Sequence, residues 1–348
     1  EFDPSTYSDL LTALSKYTKN ILIYNRRKPA IWNASSIKIL HKTKSKLFNF
    51  KKLEFQFKKE ILSLTNNYLK KLEEVWRNKD LDAFFLLENS SFWYCIKDEL
   101  MDVYKRRMHE YISLLLISKN MFDKINVSCI LSSNLVGETE KSVLFMNNNN
   151  IHSIMLEHGY ANYVPEISRY DILSMYSLVN DKIATWGETQ KKYLVEHKKF
   201  DNNRILVVGS PKHDQLFKIK NKPNTNSKKT ILMALHQITH ITGNADTNSY
   251  IRYEKFLIKF CDIVKNFSDV EIIVKLHPSQ NKHTDQIKKL FKKMDSSIPV
   301  YHSKSINELM PISDVLVCVS PEGFDPSTVI LEGIIQGKPV MNIILDNN

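Results

Sequence analysis

The chain has 348 residues, of which 43% are hydrophobic and 25% charged, with a formal net charge of +11. This length suits two ordinary domains, and the balance is that of a globular protein rather than a disordered one. No apolar run approaches the eighteen or so residues a membrane helix needs, and EFDPSTYSDL at the start does not read as a signal peptide.

The four cysteines, Cys95, Cys129, Cys261 and Cys318, are widely spaced and form no CxxC pair. They are expected to be buried thiols in a reducing, cytoplasmic setting rather than disulfides or zinc ligands. The charge is uneven. Between Lys38 and Lys59 eight lysines (38, 42, 44, 46, 51, 52, 58 and 59) face one acid, Glu54. Such a run is either a solvated helical face or a surface for an anionic membrane or a phosphorylated acceptor. No RNP-type or helix-turn-helix signature accompanies it, so nucleic acid is not the expected partner.

Along the chain, Asn20–Tyr24 reads as a short strand, followed by Asn25-Arg26-Arg27, a weak anion candidate on the acceptor side. Amphipathic spacing predicts helices over Phe55–Asn78 and Ile96–Asn120, with a strand at Ala83–Leu87 between them. From Asn126 the rhythm changes. Val127–Leu131, Ile151–Leu156, Lys182–Trp186 and Arg204–Val208 read as buried parallel strands separated by helical stretches. The segment Asn221–Lys229 is the most linker-like, and it divides an N-terminal domain (1–220, helical to about 125 and then Rossmann-like) from a C-terminal one (229–348). Beyond it, strands are expected at Thr230–Leu235, Val270–Leu276, Pro299–His302, Asp314–Val319 and Pro339–Ile344. Helices alternate with them at Ser249–Phe267, Lys282–Met294, Ile306–Pro311 and Ser327–Gln336. This is the pattern of a doubly wound α/β domain.

Open α/β sheets bind ligands at the carboxyl ends of their strands. Four loops there are polar. Glu157-His158-Gly159-Tyr160 places an imidazole at a strand end beside a glycine. Lys275-Leu276-His277-Pro278 places another. His236, Gln237, Thr239 and His240 follow the first C-terminal strand. Asp325-Pro326-Ser327-Thr328 is a strong helix start, whose free amides and hydroxyls suit an anion. Glu332 follows one turn in, placed to accept two ribose hydroxyls, and Gly337-Lys338-Pro339 ends the helix. Each residue also has a plain structural reading, as a cap, a turn or a hydrogen-bonded histidine.

Taken in order, His158-Gly159, Gly209-Ser210-Pro211 with Asp214 and Leu216, His277-Pro278, and Ser327-Thr328 with Glu332 and Gly337-Lys338-Pro339-Val340 resemble a known group. These are the GT-B enzymes of surface-polysaccharide assembly: capsule polysaccharide transferases, CDP-glycerol glycerophosphotransferases and UDP-N-acetylglucosamine 2-epimerases. The resemblance covers roughly Asn126 to Val340. It implies two Rossmann-like domains facing a cleft, with a helix-rich N-terminal part. It also implies that Ser327, Thr328, His277, Pro278, His236, Gly209 and Ser210 line a donor site for a CMP-, CDP- or UDP-linked sugar, with Glu332 on the ribose. His158 becomes the base or orienting residue, His277 the group on the phosphate or leaving group, and Gly159, Arg26 and Arg27 lie on the acceptor side. No metal or other cofactor is expected, since helix amides and histidine can offset the departing charge.

The sequence departs from the pattern at three places. Ser327-Thr328 stands where the epimerases have Gly-Gly, which moves the reading from epimerase toward transferase. The acidic pair of HP-containing sialyltransferases is not found, and the chain ends at Asn348, before the closing helices of such enzymes, so the natural protein is expected to be longer. The implied activity is transfer of a sugar or polyol phosphate to a hydroxyl of a surface glycan or lipid-linked precursor, in the cytoplasm or on the inner face of the membrane. A nucleotide-sugar epimerase and a non-catalytic glycan-binding module stay open as alternatives.

Overall fold

The computed structural model describes residues 2–18, 20–26, 29–132, 138–147, 151–157, 159, 179–218, 227–238, 247–278, 280, 283–320 and 327–345. The chain forms two compact units, and the main chain passes for the last time from the first to the second at Gly209–Ser210. Gly209 holds a positive φ of 79° there, a conformation that costs glycine nothing.

The first unit opens with α1 (Ser8–Tyr17), β1 (Leu22–Ile23), α2 (Ala34–Thr43) and β2 (Lys46–Leu47), which pairs in parallel with β1. Two helices follow, α3 (Phe50–Gln56) and α4 (Lys58–Trp76). The single helix expected from Phe55 therefore starts earlier and is interrupted at Phe57, whose N–H still bonds back to Leu53. Next comes a small hairpin of β3 (Leu86–Leu87) and β4 (Ser90–Ser91), turned by Glu88 and Asn89 at positive φ. The strand expected at Ala83–Leu87 is shorter than its apolar run, because Lys79–Phe84 forms a 3₁₀ helix.

The long α5 (Trp93–Lys124) then packs on α4, closed at one end by Trp76, Phe85, Trp93 and Tyr104, with ring centroids 4.7 to 5.4 Å apart. After it come β5 (Cys129–Ser132), α6 (Glu138–Phe145), β6 (His152–Leu156), β7 (Lys182–Thr185) and, later in the chain, β8 (Ile205–Val207). These four strands form an all-parallel sheet in the order β5-β6-β7-β8. The sheet is a Rossmann-like half preceded by helices, as the sequence indicates. Cys95 and Cys129, expected to be buried, are exposed; Cys261 and Cys318 are buried. Apolar neighbours in sequence did not translate into burial for Cys129 because β5 is an edge strand.

The second unit contains α7 (Glu188–Glu196), the turn and 3₁₀ segment from Ser210 to Lys218, and then β9 (Lys229–Leu235), α8 (Thr247–Val264), β10 (Val270–Leu276) and α9 (Thr284–Met294). It continues with β11 (Val300–Tyr301), α10 (Ile306–Leu309), β12 (Val315–Ser320), α11 (Thr328–Ile335) and β13 (Val340–Ile344). Its sheet is parallel throughout, in the order β11-β10-β9-β12-β13.

Strands β9, β10 and β12 are almost wholly buried, because both sheet faces are covered. Alternate residues serve alternate faces. Met233, Leu235, Val274, Leu276, Val317 and Val319 pack against Tyr253, Leu257 and Phe291 on one side. Leu232, Ala234, Ile273, Leu316 and Cys318 pack with Leu309 and Met310 on the other, where Val329 and Ile330 of α11 also lie.

α11 sits tightly on this sheet at Gly333. A Cβ there would lie 2.6 Å from Leu316 Cδ2 and 2.9 Å from Val340 Cγ2. Gly333→Ala is therefore expected to lower the unfolding free energy by about 1–3 kcal/mol, as overpacking of a filled core does. Denaturant titration with an unchanged slope checks this.

Candidate functional site

The order β11-β10-β9-β12-β13 reverses direction between β9 and β12, so the connections leaving these neighbours diverge to opposite faces and open a crevice at their carboxyl ends. The structure brings His236, His277, Ser327 and Glu332 onto the elements that border this switch point. His236 follows β9, and its N–H donates to the Val319 carbonyl of β12 at 2.8 Å. His277 follows β10, with its ring centroid 5.6 Å from that of His236 and the planes at 40°.

The two loops are tied together by buried Gln280, whose side-chain oxygen accepts from Ile238 N–H at 2.9 Å and whose own N–H donates to the His277 carbonyl at 3.0 Å. Ser279, between His277 and Gln280 in the chain, lies outside the described residues.

Burial is the largest cause that holds His277 down to about 4, with further depression from His236, Lys275 and His302. The ring is thus neutral at cellular pH and acts as a hydrogen-bonding group, not as a standing cation. Lys275, also buried, supplies the positive charge beneath it. Its ammonium donates to the Leu276 and His302 carbonyls, and burial lowers its pKa. A buried lysine below two imidazoles makes this corner attractive to an anion.

On the other side of the switch point, α11 starts after β12. Ser327 is its N-cap and accepts from Val329 N–H at 3.4 Å, leaving the first-turn amides and Thr328 at a helix start where anions are favoured. One turn in, Glu332 is buried, with 9% of its surface exposed. Burial raises its pKa, against the opposing charge of Lys212. Its Oε2 has no hydrogen-bond partner among the described residues. A buried carboxylate oxygen without a donor is costly.

The segment Ser210–Lys218 packs against α11 and adds His213, a residue the sequence pattern passed over. Its ring is buried, and its Nε2 lies 3.9 Å from Glu332 Oε1. The signal was present, a histidine three residues after Ser210 in a turn, but no spacing rule distinguishes it from a packing residue.

In the first unit, Glu157 closes β6. Its carboxylate accepts from Trp186 N–H and its carbonyl accepts from Trp186 Nε1 at 3.1 Å, so this glutamate fixes the strand end that precedes His158. His158 itself and Arg27 lie outside the described residues. Gly159, which belongs to the second unit, has no described residue within 4 Å of the position of a Cβ. Arg26 pairs with Glu110 at 2.6 Å and lies over the Phe50 ring. Pro278 follows His277 directly in the turn leaving β10. Among the described residues no cluster of three or more His, Cys, Asp or Glu side chains could hold a metal, and no helix is long and apolar enough to cross a membrane.

The buried histidines make stability depend on pH. His213 and His277 are both held at about 4 against an ordinary 6.5, so the unfolded chain binds more protons between these values. Stability is therefore full above about pH 6.5 and is lost progressively as the pH falls toward about 4. Denaturation midpoints measured across that window are expected to fall less steeply in His277→Asn than in the unaltered chain.

Two parallel sheets, each in its own unit, with a switch-point crevice in the second, are the architecture of the GT-B fold: two Rossmann-like domains. The chain is similar to several solved structures. A protein assigned as a UDP-N-acetylglucosamine 2-epimerase from Listeria monocytogenes matches at a TM-score of 0.50 and 15% identity, over 67% of this chain and 61% of that one. The UDP-GlcNAc 2-epimerase of Neisseria meningitidis bound to UDP-GlcNAc matches at 0.46 and 14% identity, over 67% and 63%. The accessory secretory proteins 1, 2 and 3 of Streptococcus pneumoniae match at 0.40 and 11%, over 66% and 43%. The chain thus spans less than two thirds of the length of these structures. No protein-family model matches the sequence, and no curated protein matches it either.

Proposed function

We propose that the second unit binds the nucleotide of an activated sugar, and that the protein is a glycosyltransferase acting on a hydroxyl of a surface glycan or its lipid-linked precursor. The observation that carries the reading is the convergence at one switch point of His236, His277, the α11 start and a buried, donor-poor Glu332. The α11 amides, Ser327 and Thr328 hold phosphate, His277 donates to it, and Glu332 accepts the ribose hydroxyls. In the reaction His158 takes the proton of the acceptor hydroxyl, whose oxygen bonds to the transferred group. The bond to the departing nucleotide breaks, and His277 with the helix start offsets the charge it carries away, without a metal.

The epimerase reading has its own support, since the solved structures of similar fold named above include epimerases. Ser327-Thr328 at the helix start favours transfer. Incubation with UDP-GlcNAc alone, followed by NMR, separates the two: a C2 epimer formed without acceptor replaces the transferase reading. Failure to bind any nucleotide while binding glycan replaces both with a binding module.

The reading extends to the place of work, the inner face of a membrane. On α3 and the start of α4, Lys51, Lys52, Phe55, Lys58, Lys59 and Leu62 are exposed beside one exposed acid, Glu60, while Glu54 turns inward to accept from Ser113 at 2.9 Å. Lysines interleaved with apolar side chains suit anionic lipid. Co-sedimentation with phosphatidylglycerol vesicles but not with phosphatidylcholine alone, lost in Lys51→Glu/Lys52→Glu, is the expected result. Equal sedimentation with both lipids contradicts it.

A further inference from the structure

In the turn Ser210–Lys218, His213 reaches Glu332 of α11. His213 is 2% exposed, and its backbone is held by the turn, its N–H donating to the Ser210 carbonyl and its carbonyl accepting from Leu216, both at 2.9 Å. Ser210 Oγ lies 2.7 Å from His213 Nδ1. When the hydroxyl donates to Nδ1, the imidazole proton sits on Nε2, and Nε2 is the nitrogen that faces Glu332 Oε1 at 3.9 Å. Burial, then Lys212, keeps this ring neutral, so it meets the carboxylate as an N–H donor.

The separation is within ion-pair range and longer than a hydrogen bond. A small rotation of the Glu332 side chain closes it. The carboxylate thus has an internal donor beside Oε1, while Oε2 is buried and has no partner among the described residues.

We infer that His213, its tautomer set by Ser210, is the positioning residue for Glu332: it engages Oε1 and so leaves Oε2 directed to the ribose of the bound nucleotide. The inference rests on the reading that Glu332 holds the ribose. A turn histidine outside the sheet would then govern discrimination between ribo- and deoxyribonucleotides without touching the nucleotide. Without His213 the buried carboxylate has no fixed rotamer, and either oxygen can turn away.

The test uses the full chain and a readout that a packing role does not move. Dissociation constants are measured calorimetrically for CMP, CDP, UDP, GDP and ADP and for their 2′-deoxy counterparts, and the deoxy-to-ribo ratio is compared among variants. The unaltered chain is expected to prefer the ribonucleotide, and Glu332→Gln to lose most of that preference. His213→Leu is expected to narrow the ratio about tenfold, the effect of one lost hydrogen bond to a charged group. His213→Gln, which keeps a donor, is expected to restore much of it. Ser210→Ala removes only the hydroxyl and reads the same ratio should His213→Leu fail to fold.

Loss of preference in Glu332→Gln together with full preference in His213→Leu and Ser210→Ala overturns the inference and leaves the ribose reading standing. So does an equal loss of affinity for both sugar forms in the His213 variants, which marks a packing residue. Equal binding of ribo and deoxy forms by the unaltered chain, or no binding of either, overturns the ribose reading and this inference with it.

Discussion

His158→Ala is expected to lower the turnover of sugar transfer by about 10²–10⁴-fold, the usual range for a lost general base, while nucleotide affinity is unchanged. The separation follows from where the residue sits in the chain. It follows directly on β6 and on Glu157, whose two bonds to Trp186 anchor that strand end. The crevice proposed to hold the nucleotide is built from residues of the second unit. Removing the imidazole therefore leaves the donor contacts intact. His158→Gln, which preserves a polar group but cannot take a proton, is expected to resemble Ala; partial recovery in Gln would instead mark an orienting role. Glu157→Gln is the useful companion, since weakening the strand-end anchor is expected to lower both stability and turnover. Unchanged turnover in His158→Ala would remove this residue from the mechanism.

Glu332→Ala is expected to weaken nucleotide binding by about 10- to 100-fold, because hydrogen bonds to a charged group contribute roughly 1.5–3 kcal/mol. The same change is expected to leave the folded protein no less stable, or to stabilise it. Burial raises the carboxyl pKa, and its Oε2 has no partner among the described residues, so in the free protein this group is a liability. A loss of binding coupled to a gain in stability is the mark of a functional residue. Isothermal titration and thermal melting of the same preparation measure both. A large loss of stability with little loss of affinity would show that Glu332 supports the fold instead.

Much of the second unit was legible because its strands are buried on both faces. Thr230–Leu235, Val270–Leu276 and Asp314–Val319 are largely apolar runs, and each became a central strand within a residue of its expected bounds. Ser327 was legible as a cap, since a small hydroxyl followed by an apolar helical run has few other meanings.

The helical part of the first unit was less so. The start of α5 at Trp93 depends on how aromatic rings from separate segments stack, which no local pattern encodes. His213 was hidden for a related reason. Its role arises from a meeting with Glu332, more than a hundred positions away, and only the packing of the turn on α11 reveals it. Lys275 opens a loop motif in the sequence, yet it is buried in β10, where Tyr301 of the edge strand β11 pairs with it.

The central claim is that the β9/β12 crevice is a nucleotide site, and thermal stabilisation by CMP, CDP, UDP, GDP and ADP in the presence of EDTA tests it most directly. One nucleotide is expected to raise stability selectively, by about 2.7 kcal/mol at a hundred times its dissociation constant, and Glu332→Ala is expected to abolish that shift at the same concentration. No shift with any of the five, or an equal shift in Glu332→Ala, would contradict it.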